Sequence, residues 1–343
     1  MSLQTIFWIG LGFAFILGAI VGSFLNVVIY RVPAGLSVVS PASRCPHCES
    51  PIRWYDNVPI LSWALWLGRK CRDCRAPIPA RYALVEALTG ALAAAVWFKV
   101  AGPHFRDLHY LDELIPAAFL VPFGFYFIFI CILVAITFVD LDHYLIPHEF
   151  TLPAMAIGVI AAFVMNSEAV IPAGGLADLW PPVTPMMSVI GLIVGGLVVV
   201  ALFVVYYAVR GVEGIGGGDV TLMAVMGAWL GWPALIFIFF AASIQGLIAA
   251  GIGAIFGAGF LKHSSEILDD FDESAEPELA TAPAQALEAD GTIEINDDGE
   301  AEEPAGGLAV PFGPFICLAG LEFFFFGAHL PMAFSMSYLY GVW

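Results

Sequence analysis

The chain has 343 residues, of which 60% are hydrophobic and 12% are charged, with a mean hydropathy of +0.88. Soluble domains carry about 25% charged residues, so this composition excludes an ordinary soluble protein and predicts a polytopic membrane protein. The net charge of −18 is a local property, because residues 266–303 hold 15 of the 30 acidic residues and no Lys or Arg. It therefore gives no indication of nucleic acid as a partner.

Apolar stretches with the length that crosses a bilayer, about 20 residues, recur along the chain. The first is too long for a signal peptide and is interpreted as a retained span. The segment 219–231 is short and could be only partly immersed. The stretches predict eight transmembrane helices, near 6–30, 82–101, 114–139, 150–166, 186–209, 219–231, 233–261 and 312–330.

Two Cys-x-x-Cys pairs follow the first span: Cys45 with Cys48, and Cys71 with Cys74. Four thiolates at this spacing close a tetrahedral site and leave no open position for catalysis, which is typical of structural zinc. A reducing cytoplasm argues against disulfides. An iron site of rubredoxin type and free thiols are the alternatives. Together with the spans, the pairs predict an all-α polytopic membrane protein with about eight transmembrane helices and a small cytoplasmic zinc-ribbon-like tetracysteine domain.

Two aspartates stand at the ends of apolar stretches. Asp140 ends one stretch, and Asp219 follows the run Gly214-Ile-Gly-Gly-Gly218. Carboxylates near hydrocarbon are costly and usually mark chemistry or transport. Two carboxylates within reach of one water can share a proton and activate that water. The pair predicts a membrane aspartic protease. Asp142, which lies close to Asp140, is interpreted as a hydrated loop carboxylate.

Basic residues decide the predicted orientation. The segment 31–81 holds eight Lys and Arg residues, and Arg210 and Lys262 fall on the same side, against Lys99 and Arg106 opposite. The positive-inside rule then places the cysteine pairs, both aspartates and the acidic stretch in the cytoplasm. The composition of residues 263–307 is typical of disorder.

Six motifs in order resemble the type IV prepilin peptidases, the bifunctional leader peptidase and N-methyltransferase family. They are Gly22-Ser-Phe-Leu-Asn26 with its continuation to Pro33, the two cysteine pairs, Arg81-Tyr-Ala-Leu-Val-Glu86, Asp140-Leu-Asp-His-Tyr-Leu-Ile-Pro147, Glu213-Gly-Ile-Gly-Gly-Gly-Asp219, and Val310-Pro-Phe-Gly-Pro314. The resemblance implies that Asp140 and Asp219 are catalytic. It also implies a location in the bacterial inner membrane, with the active site facing the cytoplasm.

The resemblance further implies the substrate and a cofactor. Prepilins and pseudopilins of type IV pilus and type II secretion systems carry a short basic leader before a hydrophobic helix. Cleavage of the leader would be followed by N-methylation of the new N-terminus from S-adenosylmethionine, for which no binding residue is assigned. A carboxylate-relay transporter and a catalytically silent prepilin-binding assembly factor are the alternatives from other classes.

The predicted organisation has five parts. They are a first transmembrane helix at 1–30, the cytoplasmic tetracysteine domain at 31–81, a transmembrane peptidase core at 82–262, an acidic disordered cytoplasmic loop at 263–307, and the last transmembrane helix with a tail at 308–343. Asn26 and Glu86 are expected to make interhelical hydrogen bonds, to snorkel, or to contact substrate. Glu322, in the middle of the last span, is expected to be protonated or paired. No partner for Glu322 can be named from the sequence.

Overall fold

The computed structural model describes residues 2–45, 47–66, 69–107, 116–168, 170, 181–211, 216–256 and 311–329. Within these residues the chain is helical, apart from turns and two isolated β-bridges, so the all-α prediction is confirmed. The acidic stretch predicted at 263–307 and the tail beyond residue 329 lie outside the described residues. The eight helices of the described part are Leu3–Arg31 (α1), Ala80–Asp107 (α2), Pro116–His143 (α3), His148–Met165 (α4), Pro185–Arg210 (α5), Gly217–Leu230 (α6), Trp232–Phe256 (α7) and Gly313–Phe326 (α8).

Six of these helices are long and apolar enough to cross a bilayer: α1 to α5 and α7. The other two, α6 and α8, have 14 residues each, which is about 21 Å at 1.5 Å per residue, against a hydrocarbon core of about 30 Å. The eight predicted spans therefore correspond to six full-length helices and two shorter apolar ones. Both short helices begin beside the candidate site described below.

The ends of α5 follow ordinary capping rules. The Thr184 hydroxyl accepts a hydrogen bond from the backbone N–H of Met187 at 3.2 Å, and Pro185 occupies the first helical position. Gly211 ends the helix with φ +71°, a left-handed conformation that costs glycine little. These signals fix where α5 begins and ends.

Small residues bring two helix pairs into close contact. A Cβ placed on Gly18 of α1 would lie 2.6 Å from the Cβ of Ala93 in α2. A Cβ on Gly191 of α5 would lie 2.7 Å from the carbonyl carbon of Gly227 in α6. Membrane helices associate through such van der Waals contact between backbones, because lipid supplies no hydrophobic drive between them.

A tryptophan connects the three helices around the candidate site. The Trp229 ring of α6 stacks on Phe129 of α3 with a centroid distance of 4.9 Å, and its Nε1–H donates to the Ala154 carbonyl of α4 at 2.8 Å. The Trp229 side chain is almost fully buried, with 2% exposure. Through these contacts Trp229 connects α6, which carries Asp219, to α3, which carries Asp140.

Candidate active site and metal centre

Asp140 occupies the last turn of α3 and is buried, with 5% exposure. Its neighbours along the helix, Ile136 and Val139, are buried apolar residues. The backbone N–H of Gly313, at the start of α8, approaches the carboxylate. Within the described residues Oδ2 of Asp140 makes no hydrogen bond of normal geometry. A buried carboxylate oxygen without a regular partner is rare and indicates a functional role for this side chain.

Asp219 is the third residue of α6, and Gly216 is the N-cap. Its carboxylate reaches back to accept a hydrogen bond from the backbone of Gly216, the arrangement of a capping box. The positive end of the helix dipole favours a negative charge at this position. The local sequence therefore holds the Asp219 side chain at the N-terminus of α6.

The glycine run lets the two aspartate motifs touch. A Cβ on Gly218 would lie 2.7 Å from the Cβ of Ile146, which follows Asp140 in the turn before α4. No side chain can occupy that position unless the turn moves. Gly218 therefore lies at the contact between the two motifs, and that contact requires a residue without a side chain at this position.

Both carboxylates lie at a similar distance along their helices from the contact between Phe129 and Trp229. From the Phe129–Trp229 contact, Asp140 lies 11 residues along α3 and Asp219 lies 10 residues back along α6. These offsets correspond to about 16 and 15 Å of helix rise. The two carboxylates repel each other electrostatically. The structure thus brings together the two residues that the sequence singled out.

The first turns of α8 close the site from a third side. A Cβ on Gly313 would lie 2.5 Å from Oδ2 of Asp140 and 3.0 Å from Cδ1 of Ile146. Cys317, one turn further on, is buried and lies within electrostatic range of both aspartates. Cys317 is not among the site residues that the sequence predicts. Its spacing of four from Gly313, which places both on one helix face, is the signal that could have linked it to the site.

Asp142 is not simply a hydrated loop carboxylate. It forms an ion pair with Arg81 at the start of α2, and each side chain is about one fifth exposed, 21% and 19%. The Arg81 guanidinium also lies over the Phe138 ring, 5.4 Å from its centroid. One arginine therefore contacts α3 on both sides of Asp140, and it connects that helix end to the chain leaving the cysteine region.

Each cysteine pair forms a turn of the same design. The N–H of Cys45 donates to Ser50, and the N–H of Cys71 donates to Ala76, at 3.0 and 2.8 Å. An isolated antiparallel bridge flanks each turn, Arg44 with Pro51 and Lys70 with Pro77. The residue after the second cysteine is left-handed in both, with φ +53° at Glu49 and +66° at Arg75. The two turns therefore share one backbone design, that of a knuckle that could hold a metal ion.

The four sulfurs of Cys45, Cys48, Cys71 and Cys74 lie within 4.8 Å of one another. Sγ–Sγ distances are 3.8 Å between Cys45 and Cys74 and 4.0 Å between Cys48 and Cys71. Hydrogen bonding between Cys48 and Ser50 lowers the pKa of Cys48 to about 6, whereas burial raises the pKa of Cys45 to about 12. The cluster can hold a metal ion, which would displace the Cys45 proton.

Polar residues of α1 and α2 hold the cysteine region against the membrane helices. The Glu86 carboxylate accepts a hydrogen bond from the Ile60 N–H at 2.7 Å, and Asn26 donates to the Tyr82 carbonyl at 3.1 Å. Ile60 has φ +60°, a strained value for a β-branched residue. Asn26 therefore makes an interhelical hydrogen bond, and Glu86 makes a hydrogen bond to the cysteine region.

Glu322 has a partner that the sequence did not reveal. Nε2 of Gln245 in α7 donates to the Glu322 carboxylate in α8 at 2.8 Å. Within the described residues Oε1 of Gln245 is buried without a hydrogen bond. The pair connects two membrane helices through a polar contact.

A helical membrane bundle with two facing carboxylates at its edge and a four-thiolate knuckle beside it defines a polytopic membrane protein with a paired-acid site. Residues 16–100 match the bacterial peptidase A24 N-terminal domain, and residues 127–251 match the type IV leader peptidase family. The chain belongs to the type IV leader peptidase family.

Curated relatives agree with this assignment over most of the chain. A prepilin leader peptidase/N-methyltransferase of Myxococcus xanthus is 35% identical over 337 residues, covering 93% of this chain and 90% of the relative. Proteins with the same name from Aeromonas hydrophila and Dichelobacter nodosus are 36% and 35% identical, covering 72% and 73% of this chain and 82% and 85% of their own. No solved structure gives a significant match.

Proposed function

We propose that the chain is a membrane aspartic endopeptidase that cleaves the basic leader of prepilins and pseudopilins and methylates the new N-terminus. The meeting of Asp140 and Asp219 at one level of the bundle is the observation that carries the peptidase assignment. Membership of the type IV leader peptidase family supports it, as do relatives named for both activities. A transporter and a silent assembly factor are not favoured by these similarities.

The paired carboxyls supply acid and base for peptide hydrolysis. One carboxylate takes a proton from a water whose oxygen bonds to the scissile carbonyl carbon, while the other carboxyl gives its proton to the carbonyl oxygen. The resulting gem-diol collapses as the C–N bond breaks and the leaving nitrogen gains a proton. Such a pair titrates as a unit, so acid and base roles are not divided between Asp140 and Asp219.

We propose zinc as the ion of the cysteine cluster. Zinc–sulfur bonds of about 2.3 Å in a tetrahedron place the sulfurs about 3.8 Å apart, close to the 3.8 and 4.0 Å found for two of the sulfur pairs. Four thiolates leave no position for a reacting water, so the ion has a structural role. An iron centre would have the same ligands, and elemental analysis of the purified protein separates the two.

S-adenosylmethionine would supply the methyl group for the new N-terminal amine. The cavity of about 360 Å³ between α1 and the cysteine region is lined by Arg31, by Ser43 and Asn57, and by apolar side chains such as Phe24 and Ile52. None of these described lining residues is a carboxylate, and Arg31 would repel a cationic cofactor. We therefore propose no residue of this cavity as the binding site of the cofactor.

The proposed location is the bacterial inner membrane, with the paired acids and the cysteine region facing the cytoplasm. The excess of Lys and Arg in residues 31–81 supports this orientation under the positive-inside rule. The chain is a multi-pass membrane protein with six helices of spanning length among its described residues. Its proposed protein partners are the prepilin substrates.

Cleavage of a prepilin in proteoliposomes tests the peptidase proposal. Asp140→Asn and Asp219→Asn each keep the side-chain size and remove the ionisable group, and each should lower kcat by about a thousandfold or more. Asp142→Asn is the matched control, because its carboxylate pairs with Arg81; this variant should keep at least about a tenth of the wild-type activity. If either catalytic variant cleaves as the wild type does, that residue is not part of the pair.

A further inference from the structure

A groove of about 640 Å³ opens on the lipid-facing side of the bundle, between α5 and α7. Its lining is almost entirely apolar and includes Leu202, Val205 and Phe239. The exception that matters is Asp219, which forms part of the wall. The groove and the paired-acid site are therefore continuous.

The groove runs from the membrane boundary into the bilayer. On α5 it extends from Val209, near the helix end, to Val199, ten residues or about 15 Å away. Asp219 marks the boundary end, because it lies at the start of α6. An extended or helical chain lying along this path would pass from water, past Asp219, and into hydrocarbon.

Among the described residues, packing at the site leaves this side as an open approach to Asp219. Ile146 touches the glycine run from the Asp140 side, and Gly313 closes over Asp140. On the groove side no described residue covers the α5 wall, where Val205 and Val209 are exposed by 62% and 76%. A substrate must reach Asp219, and this apolar wall offers a surface to its membrane-embedded part.

We propose that the groove binds the hydrophobic helix of the prepilin, the segment that follows the scissile bond. The proposal rests on the proposed peptidase function and names the substrate-binding surface of that same site. The substrate has a basic leader in water and an apolar helix in the membrane. The groove has a carboxylate at its membrane-boundary end and aliphatic walls within the bilayer, so the two match. Burial of aliphatic surface on both sides supplies the van der Waals contact that holds membrane helices together.

Cross-linking tests the contact directly. Val205→Cys is placed in the inactive Asp140→Asn protein in proteoliposomes, and a prepilin with one cysteine in its hydrophobic helix is added with a short bifunctional thiol reagent. Val204→Cys is the matched control, because Val204 is 56% exposed on the same helix and is absent from the groove lining. The parent Asp140→Asn protein measures the background from the native cysteines.

We expect a cross-link at position 205 at least about fivefold stronger than at 204, abolished by excess cysteine-free prepilin. Equal yields at the two positions would mean that the helix does not lie in the groove and that lipid covers this face. A yield that a competing prepilin does not reduce would also overturn the proposal.

A kinetic measurement separates failure of this proposal from failure of the proposed function. In the otherwise wild-type protein, Val205→Trp fills the groove and should raise KM for the prepilin about tenfold or more, whereas Val204→Trp should leave KM unchanged. If Val205→Trp leaves KM unchanged while the wild type cleaves, the groove is not the binding surface. If the wild type cleaves no prepilin, the peptidase proposal itself fails.

Discussion

The cysteine region and the paired-acid site are built on opposite principles. Each cysteine knuckle is a local turn, closed by hydrogen bonds over about five residues, and Cys45 and Cys71 repeat the same pattern. The acid site takes Asp140 from the end of α3, Asp219 from the start of α6 and its cover from the start of α8. A local site depends on spacing, whereas an assembled site depends on how closely helices approach.

One added methyl group should impair the paired-acid site more than the cysteine region, because the paired-acid site depends on close helix packing. Gly313→Ala places a Cβ 2.5 Å from Oδ2 of Asp140, closer than real Cβ atoms come to a neighbour. We expect kcat for prepilin cleavage to fall by about a hundredfold, because misplacement of about 1 Å at a reacting group costs that much. Cleavage assays in proteoliposomes measure the effect.

Gly124→Ala on α3 is the control, because a Cβ there meets nothing within 4 Å. It should leave kcat unchanged. Equal activities in the two variants would show that contact with α8 does not position Asp140.

The bridge between the two regions is the ion pair of Arg81 with Asp142. Arg81→Gln should lower kcat about tenfold with KM unchanged, because the pair positions the end of α3 and does not touch substrate. If the residues act together, the double variant Arg81→Gln with Asp142→Asn should be no worse than either single variant. Additive losses in that double-mutant cycle would show that the two side chains act separately on the site.

The sequence could predict what depends on spacing or on long apolar runs. Those features predicted the apolar helices and the cysteine cluster, and they singled out the two aspartates that the structure brings together. It could not predict contacts set by helix packing, such as Gln245 with Glu322, Arg81 with Asp142, or Gly313 over Asp140. These partners lie between about 60 and 170 positions apart along the chain, and periodicity within one helix does not specify which other helix will face it.

Loss of the metal should destabilise the cysteine region and leave the activity of the paired-acid site largely unchanged. Cys45→Ser removes a ligand from the cluster, and we expect the purified protein to lose about one bound metal ion per chain. Hydrogen exchange should become faster across residues 43–78, while prepilin cleavage should fall by less than about fivefold.

Cys131→Ser is the matched control, because Cys131 lies in α3 outside the cluster. It should change neither metal content nor exchange in residues 43–78. Abolished cleavage in Cys45→Ser, comparable with the loss in Asp140→Asn, would contradict the separation of the two regions.

The smallest expected effect concerns an ion pair within the cysteine region. Arg72 donates two hydrogen bonds to Asp56, at 2.8 and 2.5 Å, and this lowers the pKa of Asp56. A carboxylate whose pKa is lower in the folded protein stabilises it above the unfolded pKa of about 3.9. That contribution is lost as the pH falls through the lower folded value.

Asp56→Asn should therefore accelerate hydrogen exchange at residues 53–57 at pH 7 about fivefold, or about 1 kcal/mol. Because the neutral amide carries no pH-dependent pairing, the difference from the wild type should be constant above about pH 5 and shrink below about pH 4. Asp73→Asn should have no measurable effect, since the Asp73 side chain is 43% exposed and lies 3.7 Å from Arg53. A difference between Asp56→Asn and the wild type that grows as the pH falls would reverse the sign of the argument and exclude the ion pair as its cause.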